Sequence, residues 1–229
     1  MTIAAALEEI RSRLRAAALT NGRAADSVAL IAVSKLQPPQ AIREAYAAGQ
    51  RDFGENYVQE LVQKAEALRD LPDVRWHLIG HLQRNKAKQI ASLVSLVHTV
   101  DSVELARELA KRHAATSERA LPVLIEVSIA GEAQKHGVAP AGVGELSDAI
   151  DALPELSLRG LMCVPPFTAE PADARPHFDA LSRLRELHGG AQRWPELSMG
   201  MTQDFEHAVA AGATLVRVGT AIFGARQAP

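Results

Sequence analysis

Cysteine is almost absent from this sequence, in which Cys163 is the single thiol. One thiol cannot build an intramolecular disulfide framework, so the chain is not a small scaffold held together by disulfides. The acidic residues Glu8 and Glu9 come before any long apolar run can develop, so we expect no secretory signal peptide. Both observations predict a protein of a reducing compartment, the cytoplasm.

Long apolar runs and an excess of one charge are also missing. No run reaches the ~18 consecutive apolar residues that a membrane helix needs. The 25 basic side chains nearly balance the 27 acidic ones, so no strong field attracts nucleic acid or anionic lipid. We therefore expect a soluble protein that binds neither nucleic acid nor membranes.

Short β-rich apolar runs alternate with longer segments of helical periodicity, which is typical of βα units around a parallel sheet. Eight such runs occur, of which the second and the seventh are short: 29–34, 51–53, 74–79, 96–100, 123–129, 158–164, 197–199 and 214–218. Amphipathic segments lie between them: 41–48, 58–68, 103–113, 143–153, 174–187 and 205–211. The order predicts strand, helix, strand along the whole chain.

Eight βα units suit one closed α/β barrel, a (β/α)₈ TIM barrel, formed by a single domain over 1–229. An open doubly wound sheet would give a similar alternation, and periodicity does not choose between the two. An extra helix precedes the first strand, because Ile3, Leu7, Ile10 and Leu14 fall on one helical face. We expect it to plug the lower rim of the barrel or to pack outside it.

Lys35 directly follows the first strand, and reactive groups of α/β barrels lie at the carboxyl ends of strands. Partial desolvation and a neighbouring positive charge would both lower the pKa of its amine from about 10.4, which favours the form that attacks an aldehyde. The alternative is a solvated lysine that merely ends a strand. Position alone favours that alternative.

The segments around strands seven and eight have the composition of a phosphate site, which barrels often place there. Ser198 and Thr220 offer hydroxyl donors, and Gly200 and Gly219 allow the backbone to approach phosphate oxygens closely. Taken singly, each residue has a simpler interpretation. The glycines would then be turn residues, and Thr202 and Thr220 would cap helices.

Arg217 lies within strand eight and alternates with Val216 and Val218, so it faces the same side as Leu215. A parallel strand is covered on both faces, so this guanidinium must find buried acceptors. An interior carboxylate is one possible partner, and the ring nitrogen of a bound pyridine is another. Arginine stays protonated and would leave such a nitrogen unprotonated.

Five segments in this order resemble motifs of the pyridoxal phosphate homeostasis family. They are 32–35 (Ala-Val-Ser-Lys), 53–57 (Phe-Gly-Glu-Asn-Tyr), 76–86 (Trp-His-Leu-Ile-Gly-His-Leu-Gln-Arg-Asn-Lys), 197–201 (Leu-Ser-Met-Gly-Met) and 216–226 (Val-Arg-Val-Gly-Thr-Ala-Ile-Phe-Gly-Ala-Arg). The resemblance implies the barrel of the amino-terminal domain of alanine racemase, with pyridoxal 5′-phosphate (PLP) held as a Schiff base on Lys35. Thr202 departs from the family pattern, in which a serine is common.

The same resemblance assigns further contacts to the cofactor. It implies that Arg217 faces the pyridine nitrogen and that Asn56 lies near the ring. The phosphate would sit between a set of four residues: Ser198, Met199, Gly219 and Thr220.

Three residues of the motif at 76–86 receive no chemical role from the sequence. His77 is either functional or a barrel histidine whose hydrogen bonds are satisfied within the protein. His81 has no assignment, and Lys86 suits a solvated helix. The histidines are scattered along the chain and Cys163 has no partner in sequence, so we expect no metal site. Cys163 itself suits a small buried core position.

The resemblance favours a homeostasis protein that stores, protects and delivers PLP, without a catalytic residue. Racemisation in the manner of alanine racemase needs a second acid or base, which a tyrosine from a further domain supplies there. Tyr46 falls on an outer helix here, and Tyr57 alone lies near the expected mouth. We expect exchange of the imine with free amino acids, transfer to apo PLP enzymes, and a monomer. An amino-acid racemase and a cofactor-free Schiff-base aldolase are the alternatives.

Overall fold

The computed structural model describes residues 1–131, 136–166 and 170–224. Eight parallel strands close into a barrel in sequence order, with β8 paired to β1. The strands are β1 (Ala29–Val33), β2 (Asp52–Glu55), β3 (Arg75–Leu78), β4 (Val94–Val100), β5 (Leu121–Glu126), β6 (Leu156–Met162), β7 (Glu196–Ser198) and β8 (Leu215–Val218). The predicted barrel is confirmed, and the open doubly wound sheet is excluded.

Helices surround the barrel and follow its strands. They are α1 (Ile3–Thr20), α2 (Pro39–Ala47), α3 (Val58–Ala67), α4 (Ala87–Ile90), α5 (Val103–His113), α6 (Val143–Asp151), α7 (Arg175–Leu187), α8 (Gly190–Arg193), α9 (Phe205–Ala210) and α10 (Thr220–Phe223). Local signals set their ends: Ser102 caps α5 by accepting a hydrogen bond from Leu105 N, and α2 begins with Pro39.

The barrel interior is part apolar and part polar because side chains alternate across each strand. A small apolar cluster inside the barrel is separate from the main core between strands and helices: Ile31, Leu96, Leu124, Met162 and Leu215. Two residues after Leu96 and Leu215 come the buried side chains of His98 and Arg217. The interior therefore contains ionisable groups that only other protein groups or a ligand can satisfy.

The helix predicted before the first strand is confirmed as α1. Leu7, Ile10 and Leu14 are buried, while Ile3 is only partly covered. The helix packs against α9, α10 and α2, and Arg11 donates hydrogen bonds to Ala48 O and the Gln50 side chain. Of the two expected positions, it therefore takes the one outside the barrel.

All eight predicted strands occur, with ends that shift by at most three residues. The short helices α4, α8 and α10 were not among the predicted amphipathic segments, because four residues are too few to show a periodicity. None of the described helices combines the length and the hydropathy that a bilayer crossing requires. One domain over 1–229 stays a prediction, since 132–135, 167–169 and 225–229 lie outside the described residues.

Candidate cofactor site

Residues at the ends of six strands, or just after them, enclose a cavity of about 210 Å³ at the carboxyl end of the barrel. We call it the mouth cavity. Its lining residues are Val33, Lys35, Asn56, Ile79, Val164, Met201, Thr202, Arg217, Gly219 and Thr220. Five of the seven residues predicted to bind a cofactor therefore meet in one place: Lys35, Asn56, Arg217, Gly219 and Thr220.

The turn that carries Lys35 is tied to α3 by buried polar contacts. Ser34 Oγ donates to Glu55 Oε1 at 2.6 Å, and Lys64 Nζ donates to Ser34 O at 2.6 Å. Leu36 adopts a left-handed conformation with φ of 61°, and its amide donates to Glu60 Oε1 at 2.5 Å. A non-glycine residue with positive φ needs such external support.

Lys64 joins the parts of this network by ion pairs of 2.7 Å to Glu55 and to Glu60. Burial raises the pKa of the Glu55 carboxyl, and the Lys64 ammonium opposes that rise. Glu55 and Lys64 are both buried, so loss of either partner would leave an uncompensated group without water. The network holds the backbone on both sides of Lys35.

Arg217 is buried inside the barrel, as its place in β8 predicts. Its Nη1 donates to Ser198 Oγ at 2.6 Å, and its Nη2 donates to Cys163 O at 2.9 Å. Burial lowers the pKa of the guanidinium, and negative charge on Cys163, Asp204 or Glu126 would raise it. No carboxylate is hydrogen-bonded directly to Arg217 among the described residues, so an interior carboxylate, one of the two possible partners, is not its immediate partner.

Gly219 and Thr220 form one wall of the mouth cavity at the start of α10. A Cβ at Gly219 would lie 3.1 Å from Val33 O, so this wall is packed tightly on β1. Thr202 and Thr220 are not helix caps in the structure, contrary to the simpler interpretation of their sequence positions. The cap of α10 is Gly219 without a side-chain bond, and the cap of α9 is Asp204.

Ser198 and Met199 do not line the mouth cavity. Ser198 points into the barrel, where Arg217 and His98 are its partners, and the Met199 amide donates to Leu215 O. Gly200 has φ of 92°, and a Cβ there would lie 2.5 Å from Ala208 Cβ, so packing against α9 requires this glycine. In this segment Met201 and Thr202 line the cavity instead.

A second cavity of about 300 Å³ shares Asn56, Ile79 and Val164 with the first, and we call it the neighbouring cavity. Glu126 lines it, and burial, with Asp101 adding to the effect, raises the pKa of this carboxyl to about 7. Glu126 Oε2 and Asn56 Oδ1 are buried without a hydrogen-bond partner in the described structure. Both oxygens could accept a hydrogen bond from a ligand.

The structure gathers three possible metal ligands that the sequence scatters: His81, Asp101 and His136. Their ligand atoms lie within 4.8 Å of one another, and the two histidines line the neighbouring cavity. The two imidazoles are stacked at 3.6 Å with planes only 10° apart. Parallel rings direct their in-plane lone pairs side by side, so this arrangement would have to open before both could bind one ion.

Sequence reasoning missed the contributions of Thr202, Glu126 and Lys64. Thr202 was interpreted as a helix cap and as a substitution for a common serine, although its place after β7 gave a usable signal. Glu126 is the last residue of β5, but the predicted strand ran on to residue 129, so the rule that singled out Lys35 did not reach it. Lys64 lies in an amphipathic helix, where a lysine gives no sign of burial.

Comparison with known proteins defines the class of this barrel. Residues 6–227 match the family model described as alanine racemase, N-terminal domain. The fold is also that of alanine racemase from Corynebacterium glutamicum, which is 18% identical with a TM-score of 0.65. That comparison covers 97% of this chain and 62% of the other.

Closer relatives identify the family. A pyridoxal phosphate homeostasis protein of Pseudomonas aeruginosa is 46% identical, covering 99% of this chain and 96% of the relative. PipY of Synechococcus elongatus, solved with PLP bound, is 39% identical with a TM-score of 0.83, covering 97% of this chain and 100% of the other. This chain belongs to the pyridoxal phosphate homeostasis protein family.

We predict that Lys64→Met destabilises the protein by about 3 kcal/mol, because it leaves Glu55 buried without its cation. Arg69→Met removes an exposed ion pair with Glu66 and serves as control, with an expected loss below about 1 kcal/mol. Urea unfolding at neutral pH measures both free energies. Equal losses in the two variants would contradict the role given to the buried pair.

Proposed function

We propose that this protein binds PLP in the mouth cavity, with the cofactor attached to Lys35, and that it stores and delivers the cofactor. The observation that carries the proposal is the meeting of an amine, a guanidinium and two threonine hydroxyls around one cavity: Lys35, Arg217, Thr202 and Thr220. The name of the Pseudomonas aeruginosa relative and the PLP in PipY support the choice of ligand.

The residues of the cavity fit the proposed cofactor. Thr202 and Thr220 can donate hydrogen bonds to phosphate oxygens, and Gly219 leaves room beside them. Arg217 can donate to the ring nitrogen, and Asn56 Oδ1 needs a donor that a ligand would supply. PLP provides an aldehyde for a primary amine such as that of Lys35, and its pyridine ring acts as an electron sink in many enzymes.

Absence of catalytic turnover is the second part of the proposal. Tyr57 is 55% exposed and does not line the mouth cavity, and the Tyr46 hydroxyl is bonded to the Asp73 carboxylate. A guanidinium at the ring nitrogen, which cannot give up its proton, would also weaken the ring as an electron sink. Exchange of the Lys35 amine for that of a free amino acid needs no C–H cleavage and stays compatible with these residues.

A racemase-like activity remains the second candidate because of Glu126. Its carboxyl has a pKa of about 7 and lies in the neighbouring cavity, which shares Asn56 with the mouth cavity. A group that titrates near neutral pH can accept and return a proton. Glu126 is therefore the residue to test if turnover is found.

Delivery to other proteins is a further part of the proposal. Four large apolar side chains are exposed on residues that follow β1, β2, β6 and β7: Leu36, Tyr57, Val164 and Met201. They surround the mouth cavity and suit contact with an apo enzyme that receives the cofactor. A monomeric state and a cytoplasmic location stay predictions.

We predict that borohydride reduction of the PLP-loaded protein attaches the cofactor to Lys35. Peptide mass spectrometry should find the adduct there, and Lys35→Ala should lose both the adduct and the visible absorbance while remaining folded. Lys86→Ala, a substitution outside the cavity, is the control and should behave as wild type. An adduct on another lysine would refute the assignment, and a wild type without absorbance would favour the aldolase alternative.

Thr220→Val should weaken PLP by about 1.5–3 kcal/mol, because it removes a charge-assisted donor to the phosphate at nearly constant volume. Thr202→Val should act in the same direction. Unphosphorylated pyridoxal is the matched control ligand, and its affinity should hardly change. If both ligands lost affinity equally, Thr220 would not contact the phosphate.

We also predict that the PLP-loaded protein does not exchange the α-proton of L-amino acids with deuterated water. Proton NMR of L-alanine with the loaded protein measures the exchange directly. Exchange or D-enantiomer formation at about 1 s⁻¹ or faster would show an enzyme. Loss of that activity in Glu126→Gln would then identify Glu126 as its acid or base.

A further inference from the structure

Four hydrogen bonds connect Arg217 to the opposite end of the barrel. Arg217 Nη1 lies 2.6 Å from Ser198 Oγ, which lies 2.8 Å from His98 Nδ1. His98 Nε2 lies 3.0 Å from His77 Nδ1, and His77 Nε2 lies 3.0 Å from Asp52 Oδ1. Four of these side chains are buried and Asp52 is partly buried, so little water competes for the bonds.

The directions of the bonds follow from the two ends of the series when both imidazoles are neutral. Arg217 can only donate, and the ionised Asp52 can only accept. His77 then carries its hydrogen on Nε2, donates it to Asp52 and accepts at Nδ1 from His98 Nε2. His98 accepts at Nδ1 from Ser198 Oγ, and a lone pair of Ser198 Oγ accepts from Arg217. All four donors therefore point the same way.

The two ends of this series of hydrogen bonds, Arg217 and Asp52, carry opposite charges. Burial lowers the pKa of His98 well below its ordinary value, and positive charge on His77 or Arg217 would lower it further. Burial tends to raise the pKa of Asp52, but hydrogen bonds from Arg75 and His77 outweigh it and hold the pKa at about 2. Neutral imidazoles thus separate a cation from an anion.

The series of hydrogen bonds does not suit proton transfer, because its end at the mouth cavity is an arginine that keeps its proton. What it does is hold one nitrogen of the Arg217 guanidinium, while Cys163 O holds another. The remaining donors are then left to face the mouth cavity, which Arg217 lines. This geometry therefore orients the Arg217 guanidinium and does not transfer a proton.

We propose that Ser198, His98, His77 and Asp52 are positioning residues that orient the Arg217 guanidinium toward the mouth cavity and balance its charge across the barrel. The identity of the ligand that Arg217 meets rests on the proposed function. The hydrogen-bond directions do not rest on it, so the two can be tested apart.

The first experiment uses the protein without added cofactor and ¹⁵N-labelled histidine. At neutral pH, His77 and His98 should each show a protonated Nε2 and an unprotonated Nδ1. In Ser198→Ala, the Nδ1 signal of His98 should move, because its donor is lost. A proton on Nδ1 of either residue at neutral pH would overturn the inference.

The second experiment measures PLP affinity and the ¹⁵N signal of the labelled pyridine nitrogen in the bound cofactor. Ser198→Ala should weaken PLP about tenfold and move that signal toward the value of a pyridine without a hydrogen bond. Asp52→Asn should move it the same way and covers the case in which Ser198→Ala fails to fold. Thr99→Val is the control, because it removes another buried hydroxyl bond, to Gly80 O, outside the chain.

The outcomes separate the two proposals. If the wild type takes up no PLP, the proposed function is wrong, whatever the tautomers are. If it takes up PLP and the ring-nitrogen signal is the same in Ser198→Ala, Asp52→Asn and Thr99→Val, the chain does not position Arg217.

Discussion

A guanidinium buried inside a closed parallel barrel is the constraint on which the polar interior of this protein depends. A charge that has lost its water must be compensated by fixed groups. Among the described residues, Arg217 finds a hydroxyl and a backbone carbonyl at hydrogen-bond distance, and it is linked to a carboxylate through Ser198, His98 and His77. Each intermediate side chain has one donor and one acceptor in use, so replacing one of them disturbs the whole series.

The two charged groups of the mouth cavity are held by separate networks on opposite faces of the sheet. The interior series orients Arg217, whereas Lys64 and its carboxylates fix the turn around Lys35 from the helical side. Because the networks share no residue, the amine and the guanidinium can be placed independently. This arrangement suits a site that must hold an aldehyde at one point and a ring nitrogen at another.

A barrel shared with alanine racemase of Corynebacterium glutamicum does not decide between carrier and enzyme, because fold and chemistry are separable. The decision lies with the groups that can move a proton near the cavity. Tyrosine does not line the mouth cavity in the described part of the chain, and Glu126 is a titratable carboxyl next to it. The difference between storage and turnover therefore depends on a few side chains at one end of the barrel.

Strands and helices could be predicted because their patterns are local: alternation over a few residues for β1 to β8, and apolar spacing for α1. The burial of Arg217 was also predictable, since a cation inside an apolar strand stands out, whereas Lys35 was assigned by the resemblance because its position alone favoured a solvated lysine. The series from His77 to Ser198 was not predictable, because His98 and Ser198 are 100 residues apart and meet only when the barrel closes. Burial of Lys64 and the inward turn of Ser198 likewise depend on which face of an element a distant neighbour covers, and no local pattern records that.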